Sequence, residues 1–98
     1  MPASPTLICV STSSDNLTTL ESIAQSLLAK RLVACVQISG PVSSHYWWAG
    51  ALTQSSEYLL TAKSRADLFP AIEGVIRHQH HYELPEIISV RAEASDDY

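Results

Sequence analysis

Val33-Ala34-Cys35-Val36-Gln37-Ile38-Ser39-Gly40-Pro41-Val42-Ser43-Ser44-His45-Tyr46-Trp47-Trp48 has strand character along its whole length. At about 3.3 Å per residue it would span roughly 50 Å, whereas an ordinary strand runs about 5–6 residues. The far half is therefore expected to leave its own sheet. Gly40-Pro41 sits midway, where proline lacks a ladder donor and glycine permits a bulge, so a bend is expected there. Ala49-Gly50 supplies a turn and Leu52 to Lys63 returns as the second arm of a long hairpin. Tyr46, Trp47 and Trp48 give this arm more aromatic surface than a solvated ribbon carries. Another copy of the chain is the most economical cover.

Upstream, Thr6 to Thr12 is a short run apolar on both sides, as expected of a central strand. Ser13-Ser14-Asp15-Asn16 offers N-cap side chains for a first helix. Leu17, Leu20, Ile23, Ala24, Leu27 and Leu28 recur at helical spacing up to Lys30-Arg31. Downstream, Asp67 is placed to cap a second helix with Pro70 in its first turn and Leu68, Ile72, Val75 and Ile76 as its apolar stripe. That helix ends near the histidines. Pro85 opens a last strand, Glu86 to Val90, before a polar, acidic end from Glu93 to Tyr98; Met1 to Pro5 reads as a frayed start.

The order β-α-β-β-α-β with right-handed crossovers predicts an α+β, ferredoxin-like sandwich in a single domain, residues 1–98, with two helices on one sheet face and an extended β2-β3 hairpin. No helix remains for the opposite face. Because the first strand is apolar on both sides, that face calls for a partner chain, which argues for an oligomer independently of the hairpin.

The 98 residues are 46% hydrophobic and 16% charged with formal net charge -4, which leaves no electrostatic footprint for nucleic acid. No run approaches the roughly 20 apolar residues of a membrane span, and the first residues lack the pattern of a signal peptide, so the expected location is cytoplasmic. Cys9 and Cys35 read as separate buried thiols. The sequence has no Gly-rich phosphate loop, His-Glu-x-x-His helix or CxxC pair, and the expectation is a noncatalytic protein.

Candidate chemistry gathers at His78, His80 and His81, at Glu83 and Glu86, at Glu57 and Lys63, and around Trp48. Imidazole is the commonest transition-metal ligand, and His78 and His81 would share a face if the helix lasted that long. The alternative is histidines capping exposed carbonyls at a helix end. Glu57 and Lys63 fall on one side of a strand and could orient a small anionic or zwitterionic ligand, or form a salt bridge. Glu83 and Glu86 bracket Leu84-Pro85 as candidate acid–base groups or as surface charge. Of Trp47 and Trp48, adjacent on a strand, at most one can line a given pocket.

Arg31-Leu32-Val33-Ala34-Cys35-Val36-Gln37-Ile38, Ser44-His45-Tyr46-Trp47-Trp48-Ala49-Gly50, Glu57, Lys63-Ser64 and His80-His81-Tyr82-Glu83-Leu84-Pro85-Glu86 together resemble the CutA divalent-cation tolerance proteins. The resemblance runs over nearly the whole chain. It implies a homotrimer of ferredoxin-like subunits and a role in tolerance to copper and other divalent cations, with no reaction attached. It also places the family's Tyr, Trp, acidic strand residue and lysine at Tyr46, Trp48, Glu57 and Lys63, and its histidine, tyrosine, proline and glutamate at His80, Tyr82, Pro85 and Glu86. His80-His81-Tyr82 stands where the family usually has His-Pro-Tyr. Ser11 and Gln79-His80 stand where copper-binding relatives carry a cysteine and two histidines, so the soft thiolate is displaced to Cys9 or lost.

The resulting expectation is a trimeric protein of divalent-metal homeostasis. His80 and His81, supported by Glu83 or Glu86, form the candidate site for copper or another divalent cation. Tyr46, Trp48, Glu57, Lys63 and Tyr82 form a candidate ligand pocket between subunits. The alternative is a PII-like signalling trimer that binds a small effector between subunits, which rests on fold analogy alone.

Overall fold

Alternation builds β1, Leu7–Ser14, with Ile8, Val10 and Thr12 buried on one side and half-buried Leu7, Cys9 and Ser11 on the other. The computed structural model describes residues 5–97, so Met1 to Ser4 of the expected frayed start, and Tyr98 at the acidic end, fall outside the described residues. Asn16 opens α1, Leu17–Ala29, its side-chain oxygen accepting from the Thr19 N–H at 3.1 Å. Leu20, Ile23 and Leu27 are fully buried, each contributing about 1.5–3 kcal/mol. Leu17 and Leu28, expected on the same stripe, are exposed. The helix ends before Lys30-Arg31: Lys30 is its cap residue and Arg31 turns to φ 55°.

The hairpin is as long as its residues predict. β2, Cys35–Trp48, pairs antiparallel with β3, Ala51–Arg65, from Cys35 opposite Lys63 to Trp48 opposite Ala51. The register breaks between Ser39 and Val42, where the bend was expected. Gly40 has φ 128° there, and a Cβ on it would lie 3.0 Å from the Glu57 carbonyl oxygen, so a side chain is excluded by both conformation and space. The sheet order is β2-β3-β1-β4, and β1 pairs with β3 only as far as Ser14 opposite Tyr58. Beyond that pair β3 continues with β2 as a free ribbon, which gives the molecule extents of 52 × 24 × 21 Å.

Two expectations downstream are corrected. Asp67 lies in a short 3-10 turn, Ala66–Leu68, and pairs with Arg65; it does not cap α2, Phe69–Gln79. Leu68 occupies the cap position without a side-chain bond, and Pro70 is in the first turn as predicted. β4 runs Ile88–Ala92, two residues later than Glu86 to Val90, because pairing with β1 starts at Ile88 opposite Ser11 while Ile87 packs on the core.

Ile8, Val10, Leu60 and Ala62 meet Leu20, Ile23, Leu27, Ile72 and Ile76 to form the core. Both helices therefore lie on one sheet face. The register puts Cys9, Lys63 and Val90 in one row of the other face, and Ser11, Thr61 and Ile88 in the next. Ile88 and Val90 are exposed there. Cys9 and Cys35 are free, half-buried thiols on either side of Lys63, two strand spacings or about 10 Å apart, beyond disulfide reach within one chain.

Candidate functional site

The end of β1 creates the site. Continuing the Ser14–Tyr58 register by one step sets Asp15 beside Glu57, just where β3 leaves β1 and enters the ribbon. The turn after α2 swings Tyr82 across this junction. Its hydroxyl donates to Glu57 Oε2 at 2.8 Å and accepts from the Asp15 N–H at 2.8 Å. One phenol thus clasps β1, β3 and the 80–86 segment. Burial, followed by the hydrogen bond to Glu57, pushes the Tyr82 phenol well above its ordinary value. The hydroxyl is held as a neutral donor.

Beside the clasp, between the ribbon and the 80–86 segment, is a half-open cavity of about 610 Å³. Its acidic lining is Asp15, Glu57, Glu83 and Glu86; His45 also lines it, and no Lys or Arg does so among the described residues. Tyr46, Trp48 and Tyr82 supply aromatic walls. Pairing of Ser44 with Ser55, Tyr46 with Thr53 and Trp48 with Ala51 puts Tyr46 and Trp48 on one face of the ribbon. Trp47 takes the opposite face and is 74% exposed. Tyr46 Oη lies 3.1 Å from Ser55 Oγ, which fixes its ring against the ribbon. Glu57 is only 6% exposed, and Tyr82 is its one hydrogen-bond partner among the described residues.

Four of the five residues expected at a pocket between subunits line one cavity of the single chain. Tyr46, Trp48, Glu57 and Tyr82 line the cavity. Lys63 is six residues from Glu57 along β3, about 20 Å at strand rise. It lies with Arg31, Leu32 and Arg65 at a separate hollow. The two share a strand face, as alternation requires, but not a site.

The four predicted metal residues are divided. α2 stops at Gln79, so His78 and His81 do not share a helical face. His80 is buried, its Nε2–H donating to the Ser13 carbonyl at 2.6 Å and its Nδ1 accepting from the Tyr82 N–H at 3.1 Å. Both ring nitrogens are occupied, and the ring orients Tyr82. His81 Nε2 lies 2.9 Å from Asp15 Oδ1 at the rim. The His80, His81 and Tyr82 rings pack together, with Tyr82 4.7 Å from each histidine centroid. Glu83 and Glu86 line the cavity. Among the described residues, no group of three or more His, Cys, Asp or Glu side chains is arranged to hold a metal ion.

Asp15 and the Ser13 carbonyl are participants that the sequence reading did not single out. They act across 67 positions of chain, and Asp15 stands out in sequence only as one of several N-cap candidates.

The CutA1 divalent ion tolerance protein family matches residues 8–98. The chain belongs to that family. Human Protein CutA is 36% identical over 73 residues, covering 74% of this chain and 41% of the human protein, so the chain spans under half of that relative's length. The divalent-cation tolerance protein CutA of Thermus thermophilus is 35% identical over 78 residues, covering 79% of this chain and 76% of the relative. Among solved CutA1 structures, that from Thermus thermophilus superposes with TM-score 0.88 at 27% identity, covering 93% of this chain and 88% of its own. That from Shewanella sp. SIB1 gives TM-score 0.87 at 31% identity, covering 95% and 87%. The CutA1 fold accounts for the β-α-β-β-α-β order and the long hairpin alike.

Proposed function

We propose that the chain is a noncatalytic, cytoplasmic protein of divalent-cation tolerance that works as a homotrimer through a ligand cavity beside the Tyr82 clasp. The observation that carries this reading is the cavity itself. It has aromatic walls, a buried carboxylate with one hydrogen bond, and a phenol held as a neutral donor. Its size falls within the roughly 300–1,000 Å³ of small-ligand sites.

The homotrimer is supported by the helix-free sheet face with its exposed Ile88 and Val90, and by the projecting ribbon with Trp47 and Leu52 at 74% and 70% exposure. Apolar surface of this kind is stabilised by a second copy. As to copper or another divalent cation, the occupied nitrogens of His80 do not fit it as a ligand. The donor arrangement favours tolerance exerted through the cavity over a preformed metal centre in each subunit. A PII-like effector role is the second reading. It is favoured by one observation, that the cavity shares Tyr46 and Trp48 with the ribbon, so that an occupant would bear directly on the hairpin.

The test is fluorescence and calorimetric titration of the metal-free protein with copper, zinc and a panel of small metabolites, beside Y46A and W48A variants. Saturable binding of a panel member that the cavity variants lose supports the reading. Tight metal binding that neither variant changes would move the function away from the cavity.

A further inference from the structure

The cavity's charge is of one sign. Asp15, Glu57, Glu83 and Glu86 contribute carboxylates, while every lysine and arginine is absent from its lining. Loss of Lys63 from the predicted set removes the group that would have received an anion. Asp15 is engaged by His81 at the rim, and Glu83 and Glu86 are exposed, so none of these alone defines a site.

Glu57 is different. Its side chain lines the cavity in a residue more than nine-tenths buried, its Oε2 is taken by Tyr82, and its Oε1 receives neither hydrogen bond nor ion pair among the described residues. Among the described residues Oε1 is not one of the buried unpaired polar atoms, so it opens into the cavity, where it is free to accept from a charged donor. Tyr82 cannot supply a second bond, since its one proton is already given to Oε2. Tyr46 shares Glu57's face of the ribbon and its hydroxyl lies 3.1 Å from Ser55 Oγ, two residues from Glu57, so its ring lines the cavity on this side and can attract a cation through the ring quadrupole.

We propose that the cavity binds a small organic cation, a primary ammonium or guanidinium, with its N–H groups on Glu57 and its carbon body against Tyr46. Three alternatives fit less well. A bare divalent ion gains nothing from aromatic walls and finds no converging set of three donors among the described residues. An anion meets four carboxylates against one histidine, His45, with no lysine or arginine among the described lining residues. A quaternary ammonium has no N–H for the open oxygen. This inference rests on reading the cavity as the ligand site and specifies what enters it.

The experiment is calorimetric titration of the full chain with four probes that share a four-carbon body: 1,4-diaminobutane, its guanidino derivative agmatine, butane-1,4-diol and succinate. Copper and zinc salts form two further arms. The variants are E57Q, which keeps an acceptor for the Tyr82 hydroxyl, and Y46A on the ribbon, both checked by circular dichroism. The expected result is saturable binding of the two cations, weakened roughly tenfold or more in each variant and falling with salt, with the diol and succinate far weaker. Binding of the diol or succinate as tight as the amines, and lost in Y46A, overturns the cation proposal and leaves the cavity reading standing. Amine binding indifferent to both variants, no binding of either amine, or a metal ion held through Glu57 more tightly than the amines, overturns the cation proposal as well. Amine binding indifferent to both variants also counts against the cavity as the ligand site.

Discussion

Tyr82 and Glu57, 25 positions apart, meet through a 2.8 Å hydrogen bond at the point where the central strand ends and the hairpin begins. The same phenol accepts from the Asp15 N–H, so a single hydroxyl ties the 80–86 segment to β1 and β3 just where their ladder ends. The cavity lies against that joint.

Removing the hydroxyl strands a buried carboxylate. Y82F is expected to lower stability by about 1–3 kcal/mol, the usual penalty for an unsatisfied buried group. In a double-mutant cycle with E57A, which removes the acceptor, the effects are expected to depart from additivity by about 0.5 kcal/mol or more. Urea unfolding measures both quantities, and additive values would show that the bond contributes nothing.

The raised Tyr82 phenol predicts an alkaline limit. Above the ordinary phenol value of about 10 the unfolded chain loses this proton while the folded chain keeps it, so stability falls as pH rises. Below that value the contribution is fully present. Unfolding followed against pH should show a decline beginning near there that Y82F lacks. An ultraviolet titration should show one tyrosine ionising only as the fold is lost.

His80 and His81 are expected to behave differently although they are adjacent. H80A removes a buried ring that bonds both the Ser13 carbonyl and the Tyr82 N–H, and should cost about 1–3 kcal/mol. H81A breaks a rim pair in which both partners are about half exposed, and should cost at most about 1 kcal/mol. Copper affinity of the folded H80A protein should equal that of the parent. A loss of copper binding without a loss of stability would restore His80 as a ligand.

The helix-free sheet face should carry the subunit contact. V90D places a charge amid the row of Cys9, Lys63 and Val90, and is expected to convert a trimer into a monomer by light scattering. A parent protein that is monomeric at micromolar concentration would remove the assembly from the account.

Periodicity and turn chemistry made most of the architecture legible before any coordinates. The overlong strand, the bend at Gly40-Pro41 and the hairpin turn each have a local cause, and each stands where that cause predicts. The misplacements also have local causes. Asp67 could cap or pair with Arg65, and the 3-10 turn decided for pairing. β4 starts late because register with β1, which no local pattern encodes, outweighs the apolar run from Ile87.

The site was legible only in part. Alternation correctly separated Trp48 from Trp47, and it put Glu57 and Lys63 on the same face. It carries no information on distance along that face, and the two occupy different hollows. Asp15 and Ser13 joined the site through contacts spanning 67 positions, which neither spacing nor composition reports.

The central claim is that cation tolerance runs through the cavity, and survival under metal stress tests it most directly. A host lacking its own CutA-family protein would be supplied with the parent chain or with E57Q at matched soluble levels, and grown in rising copper and zinc. The account predicts that the parent chain restores growth and that E57Q, folded and assembled, does not. Equal protection by both would contradict it.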